Sequence, residues 1–202
     1  MLIETEDIFL TVKNESEGIF KDKGSKFIAF AFQVYSEDSI KEIISDIRKK
    51  HFSARHVCWA YRLGAKKQNF RVNDDGEPSN SAGKPILGQI QAHNLSNILI
   101  VVVRYFGGTL LGVGGLIQAY KEAAADALKN AEIISLYELK EMKISFNYID
   151  MNTIMKIIKD YELKIVHQDF DNECTITLSV RTGLIQKLTE IFKENNATNH
   201  TF

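Results

Sequence analysis

Apolar residues recur along the chain at a few spacings, and each spacing predicts an element. Ile40, Ile43, Ile44 and Ile47 stand at i, i+3, i+4 and i+7, the stripe of a helix over residues 36–50, with Ser39 and Glu42 as a capping box at its start. Phe27-Ile28-Ala29-Phe30-Ala31-Phe32 marks a strand over 25–34, and residues 57–63 and 70–73 read as two strands flanking the polar turn 64–68, a hairpin. The uninterrupted apolar run 98–103 fits a strand buried on both faces. Pro85 sits near a helix start, with Ile86, Leu87 and Ile90 facing inward. A longer helix over about 115–130 places Leu116, Ala119, Tyr120, Ala123, Ala127 and Leu128 on one face, its alanines allowing close approach to a sheet. Further on come a strand at 138–146, a helix from an Asp150 cap carrying Met151, Ile154, Ile158 and Tyr161, strands at 163–169 and 174–180, and a helix from Thr182.

That last order, β-α-β-β-α, is most of a ferredoxin-like sandwich, with the polar stretch 195–199 expected to fray rather than add a strand. Eleven of the 12 glycines lie at or before Gly115, and both prolines, Pro78 and Pro85, fall in one loop. The shift predicts two α+β domains, 1–134 and 135–202. With 45% hydrophobic residues and 25 Lys plus Arg against 26 Asp plus Glu, the chain has the makings of a packed core and is not a disordered segment. Its apolar runs fall short of the roughly 20 residues that span a bilayer, and its first seven residues are acidic where a signal peptide is basic. The expectation is a cytoplasmic protein with no membrane partner. Cys58 and Cys174 lack CxxC spacing, so they form no zinc or redox motif and are expected to be buried thiols.

Three stretches could carry chemistry. Residues 73–85 form a long turn-rich loop leading into a helix. Asp74, Asp75 and Glu77 could hold a divalent cation, but the calcium-loop pattern fails, since counting from Gly76 as sixth position puts Arg71 first and Ala82 last. The helix start at Lys84, after Ser79, Ser81 and Gly83, could instead bind an anion; a capped surface loop is the competing reading. Residues 103–115 are a strand feeding a glycine-rich connection into a helix. Val113 and Gly114 stand where a phosphate loop needs Lys and Ser or Thr, and Ile117 where a dinucleotide fingerprint needs glycine. What remains is backbone free to approach a ligand at Gly107 and Gly108 beside Arg104, or tight loop packing. In residues 51–62 cations alternate with aromatics: Arg55, Val57, Trp59 and Tyr61 share one face of a strand, His56, Cys58, Ala60 and Arg62 the other. Trp59 and Tyr61 are either core or a stacking platform for single-stranded nucleic acid. A Cys58/His56 dyad lacks a third orienting group, and no GxSxG, HExxH or kinase signature occurs.

The segments Ala54-Arg55-His56-x-Cys58-x-Ala60-Tyr61, Asp74-Asp75-Gly76-Glu77-Pro78 with Ala82-Gly83-Lys84-Pro85-Ile86-Leu87, and Val102-Val103-Arg104-Tyr105-Phe106-Gly107-Gly108 with Leu111-Gly112-x-Gly114-Gly115-Leu116 together resemble the IMPACT/YigZ family. The resemblance covers roughly residues 18–132, and the remainder is similar to the small C-terminal domain of the bacterial members. It implies an N-terminal α+β sandwich of the ribosomal-protein and elongation factor G domain IV type, followed by a ferredoxin-like domain. It also implies a link to translation: eukaryotic IMPACT proteins are translation regulators that compete for an activator of an initiation-factor kinase, through a chain with a different accessory N-terminal domain.

The leading expectation is therefore a non-enzymatic RNA- or ribosome-binding protein linked to translation or its regulation. Residues 48–71 carry eight cations and no acid, Lys66 and Lys67 among them, and would supply phosphate contacts. Arg55, His56, Lys84 and Arg104 would line one anion-binding surface, with Gly107 and Gly108 beside it. No catalytic residue, metal ligand or cofactor is assigned. One alternative is an enzyme acting on a small phosphorylated or carboxylated ligand, with Asp74, Asp75 and Glu77 as acid/base groups, Ser79 in the same loop, and a closed pocket against Arg104. The other is a protein-interaction adaptor with a partner in the translation machinery.

Overall fold

The computed structural model describes residues 7–171 and 174–200, which fall into two compact units. The chain is α+β in both. One unit spans Phe9–Leu136; the other comprises 7–8 and the described residues from Tyr137 onward. The boundary expected near Ser135 falls inside a strand, Ile133–Tyr137.

The larger unit is built on a five-stranded antiparallel sheet. In chain order its elements are β1 (Ile8–Val12), β2 (Ser16–Asp22), β3 (Ser25–Gln33), α1 (Glu37–Lys50), β4 (His56–Leu63), β5 (Asn69–Asn73), α2 (Gly83–Ala92), β6 (Ile98–Tyr105), α3 (Gly112–Lys129) and β7 (Ile133–Tyr137). The sheet order is β2-β3-β6-β4-β5, and β1 pairs with β7 in a separate two-stranded ribbon. The apolar run of β6 lies at the centre, bonded to β3 and β4, which explains why Ile98 through Arg104 are all buried. Alternation splits the core. Cys58, Ala60, Ile100 and Val102 face α2 and α3, while Val57, Tyr61, Val101 and Val103 face α1.

Helix α1 starts at a different cap from the one its sequence suggests. Ser36 is the N-cap, its hydroxyl accepting from Ser39 N at 3.2 Å, and the Ser39 hydroxyl donates to Ser36 O at 2.9 Å. Ser39 lies one turn inside, so the Ser39/Glu42 capping box does not form. Helix α3 begins three residues earlier than expected, at Gly112, because the glycine-rich connection itself turns into helix.

The smaller unit runs β8 (Leu139–Phe146), α4 (Met151–Asp160), β9 (Lys164–Phe170), β10 (Cys174–Arg181), α5 (Ile185–Glu194) and β11 (Thr198–Asn199). Its antiparallel order, β11-β8-β10-β9, is ferredoxin-like. The expectation of a frayed end is corrected here: Thr198 and Asn199 pair with Ser145 and Ile144, and buried Ala197 anchors the approach. Asp150 occupies the N-cap position of α4 but caps nothing with its side chain, whose Oδ1 instead accepts from Asn196 Nδ2 at 3.2 Å. Among the described residues no helix is long and apolar enough to cross a membrane.

Candidate functional site

A cleft of about 330 Å³ opens in the larger unit where the start of β4, the loop after β5 and the connection into α3 meet. Arg55, His56, Glu77 and Arg104 supply its polar lining, and Phe106, Leu110, Leu111, Val113, Leu116 and Pro78 most of the rest. The antiparallel register brings the polar groups together. His56 lies opposite Arg104 across the β4–β6 pair, and Arg55 N donates to Arg104 O at 3.1 Å.

The floor is a buried ion pair. Arg104 Nη1 donates to Glu77 Oε1 at 2.6 Å, with 6% and 4% of the two side chains exposed. The same carboxylate oxygen accepts from the Tyr120 hydroxyl at 2.8 Å, and the Cys58 thiol donates to that hydroxyl at 3.3 Å and to Asp74 O at 3.1 Å. Burial pushes the Cys58 thiol and the Tyr120 hydroxyl far above their ordinary values, so both stay protonated and neither is a nucleophile. His56 Nδ1 is 2.7 Å from Asp75 O. A carbonyl only accepts, so Nδ1 carries the proton, and in the neutral ring Nε2 is an acceptor, 3.9 Å from Glu77 Oε1.

The three loop carboxylates do different things. Asp74 accepts from Asn80 N at 2.8 Å, Ala82 N at 3.0 Å and Gly83 N at 2.8 Å, so it caps α2 from a distance. That fills the helix start at which an anion could have bound, and it leaves Lys84 exposed outside the cleft lining. Asp75, in a left-handed conformation at φ 43°, accepts from Val57 N and Arg48 Nη2, both at 2.6 Å. Burial alone would raise its pKa, but Arg48, the Val57 N–H and nearby His56 outweigh this and hold it below the ordinary carboxylate value. Glu77 alone of the three lines the cleft. Ser79 is exposed and lies outside the lining. Among the described residues, no three His, Cys, Asp or Glu side chains converge as a metal site.

The basic segment does not form one surface. Arg48 pairs with Asp75 at 2.6 Å and Lys49 with Asp46 at 3.1 Å, while Arg62 donates to Lys67 O at 3.1 Å and Leu95 O at 3.3 Å. Lys67 donates to Asn94 Oδ1 at 2.6 Å, and it and Lys66 occupy the turn at the far end of β4. With a rise of about 3.3 Å per residue, roughly 23 Å of strand separates them from His56. Trp59 and Tyr61 stack on each other, centroids 5.9 Å apart and planes within 11°; Tyr61 belongs to the core on the α1 side, and half-buried Trp59 packs against it. Gly107 is a packing glycine: a Cβ there would lie 1.9 Å from Gly24 C, and its N–H donates to Ser25 Oγ at 3.1 Å. Gly108 has a left-handed φ of 89° and open space around it, outside the cleft lining.

Of the residues singled out from the sequence, the fold brings Arg55, His56, Arg104 and Glu77 together in the cleft; Tyr120 and Phe106, which join them there, were not singled out. Tyr120 was visible as a phenol on an alanine-rich buried face, where its hydroxyl must find a partner. Phe106, 40% exposed, carries the guanidinium carbons of Arg55 and Arg104 at 5.8 and 5.6 Å from its ring centroid.

The fold and cleft define a class: two-unit α+β proteins in which an antiparallel sheet sandwiched by helices carries a recess floored by a buried Arg–Glu pair. The comparisons agree with one family. Residues 23–128 match the Impact N-terminal domain. An IMPACT family member of Haemophilus influenzae is 31% identical over 177 residues, 87% of this chain and 86% of that protein. IMPACT family member YvyE of Bacillus subtilis is 34% identical over 161 residues, 79% and 74% of the two chains. A crystal structure described as that of a hypothetical protein superposes with a TM-score of 0.75 at 27% identity, covering 97% of this chain and 98% of that one. The chain belongs to the IMPACT family.

Proposed function

We propose that the protein is a non-enzymatic RNA-binding component linked to translation, contacting RNA, free or on the ribosome, at the cleft beside Arg55. The observation that carries this reading is the state of Arg55: it is exposed at the cleft, lies over Phe106, and forms no ion pair among the described residues. A cation with no carboxylate to leave can meet a phosphate without breaking an existing pair. The aromatic beneath it suits an unstacked base. The link to translation rests on the resemblance to the eukaryotic IMPACT regulators.

The test is retention of the protein on ribosomes and on total RNA across a salt series, with Arg55→Ala beside the wild type. Retention should fall steeply with salt, and Arg55→Ala should weaken it about equally across sequences and reduce the salt slope by about one. Absence of retention at low salt would overturn the reading.

A further inference from the structure

We propose that the cleft is a phosphate site that takes the terminal phosphate of a nucleotide between Arg55, His56 and the first turn of α3, with the nucleoside against the aliphatic wall. This rests on the RNA reading only for the source of that phosphate; a free nucleotide presents the same chemistry. The first turn of α3 reaches the cleft through Gly112 and Val113. Leu111 at its N-cap offers no side-chain hydrogen bond, and no acid stands in that turn. Its leading N–H groups are therefore unclaimed by any side-chain cap and carry the positive end of the helix dipole.

A second observation points to a ligand. Arg104, with 6% of its side chain exposed, keeps Nε buried without a hydrogen-bond partner in the cleft wall. Of the five N–H donors of the Arg104 guanidinium, the bond to Glu77 takes one, at Nη1, so the group has donor capacity left. Charge agrees. The lining holds Arg55 and Arg104 against Glu77, one net positive charge before the helix end is counted. His56 Nε2 also faces this space: protonated it donates to a phosphate oxygen, and neutral it accepts from a phosphate hydroxyl.

The cleft, about 330 Å³, is floored by the Glu77–Arg104 pair, so it admits one nucleotide entering end-on rather than a strand passing through.

The experiment measures binding of the full chain to inorganic phosphate, to a nucleoside 5′-monophosphate, and to one short single-stranded RNA with and without its 5′-phosphate. Arg55→Ala and Val113→Glu are measured beside the wild type. Val113→Glu puts a carboxylate into the cleft lining at the first turn of α3, a position that suits negative charge, so an unchanged or raised Tm shows that it folds. Expected are a preference of about tenfold or more for the 5′-phosphorylated RNA, competition by inorganic phosphate, and loss of the preference in both variants. Binding of the monophosphate without binding of RNA keeps the site, assigns it to a free nucleotide and overturns the RNA reading. Equal binding of the two RNAs with no competition by phosphate overturns the site and leaves RNA binding standing. If nothing binds, both fall.

Discussion

The two units bury their ion pairs to different depths. In the smaller one, the apolar core contains Met142, Ile144, Phe146, Ile154, Ile176, Leu178, Leu188 and Phe192, and the buried polar side chains Asp7 and Ser145 lie outside that cluster. Its ion pair, Asp7–Arg181 at 3.1 Å, buries the carboxylate to 2% exposure but leaves Arg181 30% exposed, with the guanidinium 3.6 Å from the Tyr137 ring centroid. The larger unit sinks Glu77 and Arg104 to 4% and 6% exposure and ties Tyr120 and Cys58 to them. A buried ion pair is weak evidence for stability, since desolvation offsets most of its attraction and apolar residues of similar volume often do as well. The contrast therefore separates a unit whose buried carboxylate meets a cation left open to solvent from one that closes both partners of a costly charge pair beneath a cleft.

The largest effect that tests this contrast is Glu77→Ala. It strands Arg104 and should destabilise the larger unit by about 3–5 kcal/mol, read from chemical denaturation. The double variant Glu77→Leu/Arg104→Met should recover most of that loss yet fail to restore RNA retention. If Glu77→Ala lowers stability by under about 1 kcal/mol, the pair is solvated and the contrast collapses. Next is the apolar unit, where Leu188→Ala leaves a cavity under α5 and should lower stability by about 3 kcal/mol. Arg55-dependent retention should survive that change; a parallel loss would show that the cleft depends on the smaller unit's packing.

Acid should affect both units through one carboxylate each. Asp7 accepts from Arg181 and from Gly183 N at 3.1 Å, which outweighs the upward push of burial and lowers its pKa, as Arg48 and the Val57 N–H do for Asp75. A carboxyl whose folded pKa is depressed contributes stability fully present above its unfolded value, about 3.9. That contribution is lost as pH falls below about 4 and through the lower folded value. Asp75→Asn and Asp7→Asn should each flatten the acid limb of the stability profile, and an unchanged limb in both would remove these pairs from the account. His56 Nδ1 bonds the backbone carbonyl of Asp75, which Asp75→Asn keeps, so the variant should change the acid limb without removing that bond.

Strong local periodicity made α1, β4, β6 and α3 readable, since each carries its burial pattern within a few turns or alternations. Strands β1 and β2 were not read. The exposed, half-polar edge Ser-Glu-Gly-Ile-Phe-Lys-Asp shows little alternation and is held by β3 and α3, contacts that local spacing does not encode. The site followed the same rule. Arg55 and His56 stand out as cations alternating with aromatics and Arg104 as a cation beside a glycine-rich connection, but Asp74, Asp75 and Glu77 look alike until the fold sends one to a helix start, one to Arg48 and one to the cleft floor. Lys66 and Lys67 are close to Arg55 in sequence and a strand's length away in space.

The smallest effect compares the two units at their helix starts. Ser36 accepts from Ser39 N, so Ser36→Ala removes a formed cap and should lower stability by about 1 kcal/mol. Asp150 holds the corresponding position of α4 with an αR backbone and no such bond, so Asp150→Ala should lose only a few tenths, mainly the favourable charge near a helix N-terminus. Raising the salt concentration should erase the Asp150 effect and leave the Ser36 effect, because a dipole interaction is screened while a hydrogen bond to a backbone N–H is not. Equal losses at both positions, insensitive to salt, would mean that Asp150 caps α4 in solution, and the sequence expectation for that helix would then be restored.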